Sequence, residues 1–126
     1  HFSSLVYAHN RYQDRRSLWL DIISLKNTID GPWIILGDFN SVLNPDEKMG
    51  LMSCPIYSRE FKEFIELSDL IEVNIVGEIF TWYRRHLSGM VASKLDRAFV
   101  NEHVLNTWES ISCMTLLSIN SDHYPI

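Results

Sequence analysis

A mixed α/β sandwich is the fold this sequence predicts, and three observations carry the expectation. A strand-like stretch, an amphipathic helix and a continuous apolar strand follow one another at the start. A second helical stretch interrupts the middle, and several β-like pieces fill the later part. This alternation of element types belongs neither to a helical bundle nor to an all-β barrel.

The elements follow in order. "SLVYA" reads as a short apolar strand. Residues 11 to 29, "RYQDRRSLWLDIISLKNTI", carry Leu18, Ile22, Leu25 and Ile29 at alternating steps of four and three, which is one buried helix face. Gly31 and Pro32 stop that helix. "WIILGDF" is a continuous apolar run, expected to be a strand buried on both faces. A loop rich in Gly, Pro, Asn and Asp spans residues 40 to 55. "SREFKEFIELSDL" then resumes helical spacing through Phe61, Phe64 and Ile65, with Ser58 as candidate cap. "LIEVN", "IFTWY" and "KLDRAFV" are β-like, "NEHVLNTW" is a short polar helix, and "ISCMTLLS" closes the series.

Composition bounds the function. The 126 residues suit one domain, and 46% hydrophobic with 21% charged residues is a globular balance. Eleven Lys and Arg against sixteen Asp and Glu give −5, which excludes binding of nucleic acid by bulk charge and asks for a local basic surface or a metal ion instead. No apolar run approaches the ~20 residues that span a bilayer, so no membrane partner is expected. Cys54 and Cys113 are far apart and read as two free thiols. The chain opens at His1 without a Met and closes on "YPI", and both ends read as cut from something longer.

Candidate chemistry begins at "ILGDFN". Asp38 and Asn40, two residues apart at a strand end, would project a carboxylate and an amide into one pocket. Gly-Asp-x-Asn is equally the pattern of an Asx turn. Asp96 in "SKLDR" reads either as a site residue or as half of an exposed ion pair. In "SDHYPI", Asp122 and His123 are neighbours, and neighbours share a site only at a bend or strand end. Arg84, Arg85, His86, Lys94 and Arg97 gather near Trp82 and Tyr83, as DNA contact would need and as a solvated hairpin would also show. His1, His9, His86 and His103 fit no shared motif.

Taken together, "VYAHN", "GDFN", "FTW", "SKLDR" and "SDHYPI", in this order over nearly the whole chain, resemble the endonuclease/exonuclease/phosphatase superfamily. The resemblance is strongest to the endonuclease domain of plant LINE-type non-LTR retrotransposons. It implies a two-sheet β-sandwich flanked by helices, DNase I-like and four-layered, of which residues 1–126 form the C-terminal part. It implies that Tyr7 contacts phosphate with Asn10 beside it, and that Asp38 and Asn40 position the attacking water and the scissile phosphate. Thr81 falls at a DNA-facing position, Asp96 orients the catalytic His123, and Ser121, Asp122 and His123 form the closing motif. His123 is then general base or phosphate-stabilising acid, and Asp122 and Asp38 face Mg²⁺, for which Mn²⁺ could substitute.

The superfamily's front-half asparagine and principal metal-binding glutamate have no counterpart in this chain. Weak metal binding, little or no activity, open sheet edges and poor solubility are therefore expected. The resemblance further implies DNA as partner, a reverse transcriptase domain downstream, and an intracellular, nuclear setting in an active element. The competing expectations are a phosphatase or sphingomyelinase of the same superfamily and a non-catalytic remnant of a decayed element.

Overall fold

The computed structural model describes residues 1–50, 55–116 and 122–126. Ser121 and Cys54 lie outside them, as does the end of the "ISCMTLLS" stretch beyond Leu116. Cys113 is a free, partly buried thiol. No described helix is long and apolar enough to cross a membrane.

The opening strand, helix, strand unit is present as β1 (Phe2–Tyr7), α1 (Tyr12–Lys26) and β2 (Trp33–Asp38). The loop after β2 contains one 3-10 turn (Pro45–Glu47) and β3 (Lys48–Met49), and α2 spans Pro55–Ser68. Because α2 begins at Pro55, Ser58 sits inside its first turn and is not its cap. Next come β4 (Ile71–Glu72), β5 (Ile75–Val76), β6 (Trp82–His86), β7 (Gly89–Ser93), β8 (Asp96–Val100), α3 (Glu102–Thr107) and β9 (Cys113–Met114). The described strands form a four-stranded sheet in the order β1-β2-β8-β4, a three-stranded sheet β3-β7-β6 and a two-stranded sheet β5-β9. Only β1·β2 and β5·β9 are parallel.

Alternation along β2 and β8 gives the larger sheet two apolar faces. On one, Trp33, Ile35 and Phe99 pack with Trp19, Phe39, Phe61 and Phe64, an aromatic cluster roofed by α1 and α2. On the other, Ala98 and Val100 pack with Val73 and Val104, and Ile34 and Leu36 are partly buried beside them, so β2 is less enclosed than its apolar run suggests. The buried stripe of α1 is Arg15, Trp19 and Ile22. Leu18 and Ile29 only flank the core, and Leu25 is 43% exposed. The Trp19 ring, stacked 4.6 Å from Phe64 and 5.1 Å from Phe61, rotates the helix toward its own face because it buries the largest apolar area. On the edge strand β1, Leu5 and Tyr7 are 83% and 86% exposed.

Lys94 and Arg97, expected with Arg84 and Arg85 in a DNA-facing basic group, are internal instead. Arg97 is fully buried, forms ion pairs with Glu47 and, at 2.7 Å, with Glu72, and lies 5.4 Å over the Phe61 ring. Lys94 reaches Glu72 at 3.1 Å. Two residues before Phe99 on β8, Arg97 lies on the same strand face and is turned toward α2, where only paired charge is tolerated. Burial alone would raise the Glu47 carboxyl, but the Arg97 hydrogen bond and charge, the Leu43 N–H and Lys94 hold it below its ordinary 4.5. A depressed carboxyl contributes stability that is complete above the unfolded value and disappears as pH falls through the folded one. The urea midpoint is therefore expected to fall as pH is taken below about 4.5, and Glu47→Gln should flatten that part of the profile. An unchanged slope in the variant would assign the acid sensitivity elsewhere.

Candidate active site

Strand register builds the site. Tyr7 pairs with Asp38 across β1·β2, and Asp38 pairs with Asp96 across β2·β8, so three of the expected residues stand in one row at one sheet end. The approach of β1 to β2 requires Gly37 in the "GDFN" motif: its φ is +143°, and a Cβ there would lie 2.0 Å from the Val6 carbonyl oxygen.

Two carboxylates directly opposite on one face of an antiparallel ladder repel. His123 answers that repulsion. Its Nδ1 lies 2.8 Å from Asp96 Oδ2, and its Nε2 lies 3.8 Å from Asp38 Oδ2. The closing segment is held there by a bridge between Trp82 and His123, by the Tyr83 N–H donating to the Asp122 carbonyl and by the Tyr124 N–H donating to the Thr81 carbonyl. Burial pushes the Asp38 carboxyl up; the Asn40 N–H opposes this, Asp96 adds to it, and His123 and Arg15 oppose it more weakly.

Asn40 unites the two readings of its motif. Its backbone N–H donates to Asp38 Oδ1 at 2.8 Å, an Asx turn with Asn40 at φ +48°, and this same turn fixes the Asp38 carboxylate in the site. The Asn40 amide donates to the Ala8 carbonyl and to Asn10 Oδ1, at 2.8 and 3.2 Å. Both amide protons thus tie the β1–α1 loop.

A cavity of about 870 Å³ opens over this row. Tyr7, Asn10, Asp38, Asn40, Asp96, Asp122 and His123 all line it. Thr81 does not, and the expectation that it faces DNA is corrected. It is fully buried, and its hydroxyl accepts from the Leu95 and Asp96 N–H groups at 3.0 and 2.9 Å, so it positions Asp96 from beneath. Thr81→Val keeps the shape and orphans both donors. Each buried unsatisfied donor costs about 1–3 kcal/mol. Thermal unfolding should show that loss, with Thr81→Ser recovering most of it; a fully stable Val variant would remove the positioning role.

Asp38, Asp96 and His123 present one ligand atom each within 4.8 Å of one another, a set that could hold a divalent cation. Two carboxylates satisfy what a hard ion such as Mg²⁺ requires of a protein, with water completing the shell, so the residues fit. Asp122, expected on the metal side, is outside this group among the described residues: its Oδ2 accepts from the Trp82 indole N–H at 3.0 Å. Adjacent residues diverge along an extended segment, which sends Asp122 to Trp82 and His123 to the carboxylates.

Sequence reasoning missed Arg15. Only 7% exposed, it donates through Nη1 to the His9 and Asn10 carbonyls at 3.1 and 2.8 Å and lines the cavity. Burial lowers its pKa, partly offset by Tyr57, Asp38 and Glu60. The available signal was a charged residue in phase with Trp19 and Ile22.

The fold has counterparts among known proteins. The endonuclease domain of TRAS1, a telomere-specific non-LTR retrotransposon, superposes with a TM-score of 0.67 at 16% identity over 95% of this chain and 53% of that one. Beta toxin from Staphylococcus aureus superposes at 0.54, also with 16% identity, over 94% and 45%. The chain thus spans about half the length of these structures, and the likeness shows their α/β fold. No curated protein matches. Residues 2–123 match the endonuclease/exonuclease/phosphatase family, and the chain belongs to that family.

Proposed function

We propose that the chain carries the His-Asp half of a divalent-metal-dependent phosphodiesterase that nicks DNA, as the endonuclease of a LINE-type non-LTR retroelement, of plant type by its motifs. The observation that carries this reading is the Asp96–His123–Asp38 row at one sheet end, with Nδ1 at 2.8 Å from Asp96 and Nε2 facing Asp38. Phosphodiester hydrolysis develops charge on phosphoryl oxygens and needs an oriented water. Asp96 fixes the tautomer and plane of the His123 ring. His123 then handles a proton at Nε2, as general base or as acid toward the phosphate. Asp38 orients the attacking water. Asn40 and Arg15 hold the loop that brings Asn10 and Tyr7 to the substrate side. Asp38 and Asp96 would hold a Mg²⁺ ion, which would supply charge neutralisation at the phosphoryl oxygens; Mn²⁺ suits the same donors.

Exposed Arg84 and Arg85 on β6, beside Trp82, provide the local positive surface that an acidic chain needs to approach DNA. A reverse transcriptase domain downstream and a nuclear setting belong to the same reading. Residues 1–126 alone should cut weakly or not at all, because Asp96 serves His123 as well as the ion, which leaves Asp38 and a shared carboxylate to hold Mg²⁺ weakly. The test is nicking of supercoiled plasmid with Mg²⁺ or Mn²⁺, by residues 1–126 and by a chimera in which the N-terminal half of a family nuclease precedes residue 1. His123-dependent nicking by the chimera supports the reading. Hydrolysis of a phosphomonoester without nicking would favour the phosphatase alternative, and inertness of a folded chimera would favour a non-catalytic remnant.

A further inference from the structure

A second cavity of about 230 Å³ adjoins the first and shares with it a wall of Asn10, Arg15, Asn40 and Lys48. Its volume is below the range of pockets that enclose a whole ligand, and suits one group of a larger molecule. The two cavities differ in charge. In the first, Asp38, Asp96 and Asp122 stand among Arg15, Lys48, Arg84 and His123; the second has no acidic lining residue and carries Arg15 and Lys48 among neutral side chains. In a chain of net charge −5 this is a local cationic recess opening onto the carboxylate row. Arg15 is fixed through Nη1 on two backbone carbonyls, so its guanidinium is preorganised and loses little freedom when an anion arrives. At the far side Tyr57, stacked 4.0 Å from Tyr12, offers an apolar surface to a sugar.

We infer that this recess is a subsite for the phosphate next to the scissile one on the same DNA strand, held by Arg15 and Lys48. The inference rests on the phosphodiesterase reading and adds to it where the strand runs: from the carboxylate row past Asn10 and Asn40 toward Tyr57. In the first cavity three carboxylates compete for the cationic side chains, whereas in the recess Arg15 and Lys48 face no carboxylate and are open to charge-assisted hydrogen bonds with a phosphate.

The experiment is a chemical-shift titration of residues 1–126, with Mg²⁺ present, by three thymidine dinucleotides: d(TpT), d(pTpT) and d(TpTp). At least one terminal phosphate should tighten binding about tenfold over d(TpT). Lys48→Gln should abolish most of that advantage, measured as the ratio to d(TpT) in the same variant, and Arg15→Lys, which keeps the charge but not the fork, should reduce it. Retained spectral dispersion shows that each variant is folded. If d(TpT) binds and no terminal phosphate adds affinity, the subsite is overturned and the phosphodiester reading stands. An advantage that survives in the Lys48→Gln, Arg15→Lys double variant places the second phosphate elsewhere and also overturns it. Failure of all three dinucleotides to bind overturns the subsite together with the reading beneath it.

Discussion

Replacing His123 by alanine in the nicking-competent chimera is expected to lower plasmid cleavage by about 10²- to 10⁴-fold, the usual cost of losing general acid-base help, with DNA retention nearly unchanged. The geometry sets this expectation. Nδ1 is committed to Asp96, so the ring has one orientation, and only Nε2 meets the cavity side shared with Asp38. Asp38→Ala should fall in the same range, because it removes both the water-orienting group and a carboxylate from the candidate metal set. Asp96→Asn should lose less in binding than in rate, since the ring remains present with its preferred tautomer disturbed. Single-turnover cleavage and filter retention, measured on the same preparations, separate the two effects. Equal losses of binding and cleavage would mean that the substitutions damaged the fold, and undiminished cleavage in His123→Ala would remove the proposed chemistry.

Arg97→Met is expected to cost about 3–5 kcal/mol, the penalty for leaving a buried charge without its partner. Glu47 would be left with Lys94 at 3.9 Å, beyond a hydrogen bond, while Glu72 would keep Lys94 at 3.1 Å. Against a total stability of about 5–15 kcal/mol this is a large share. With a urea dependence of about 1–3 kcal/mol/M, the midpoint should move by more than about 1 M, or the chain should fail to fold. The double variant Arg97→Met, Glu47→Gln neutralises the stranded carboxylate and should recover much of the loss. A midpoint unchanged by Arg97→Met, or a double variant no better than the single, would show that the network is not what ties the loop carrying Glu47 to β8.

The motifs were legible in sequence because each is local. "GDFN" sets an Asx turn at a strand end, and "SDH" next to Pro125 sets an irregular extended end. Side-chain destinations were less legible. Lys94 and Arg97 lie in the same basic stretch as Arg84 and Arg85, and nothing local distinguishes a charge that will meet Glu47 and Glu72, 50 and 25 residues earlier, from one that will meet water. Thr81 suffered the same ambiguity: a hydroxyl in a strand suits a substrate contact and a buried backbone bond equally, and the turn at Leu95 and Asp96 decided between them. The phase of α1 was misjudged because counting aliphatic residues gives Leu18 and Leu25 the weight that Trp19 holds through aromatic area.

By itself, then, the sequence determined the α/β class, the strand, helix, strand start, the strand-end placement of Asp38 and the family. Those follow from periodicity, turn chemistry and ordered short motifs, all of which act over a few residues. Only the tertiary structure decided that Asp38 and Asp96 stand directly opposite, that His123 rather than Asp122 lies against them, and that Arg15 braces the His9–Asn10 loop and lines the site. The physical reason is register. A shift of one residue in the β2·β8 pairing would leave every local preference intact and separate the two carboxylates, and only the packing of Ile35 and Phe99 against the aromatic core selects the pairing that brings them together.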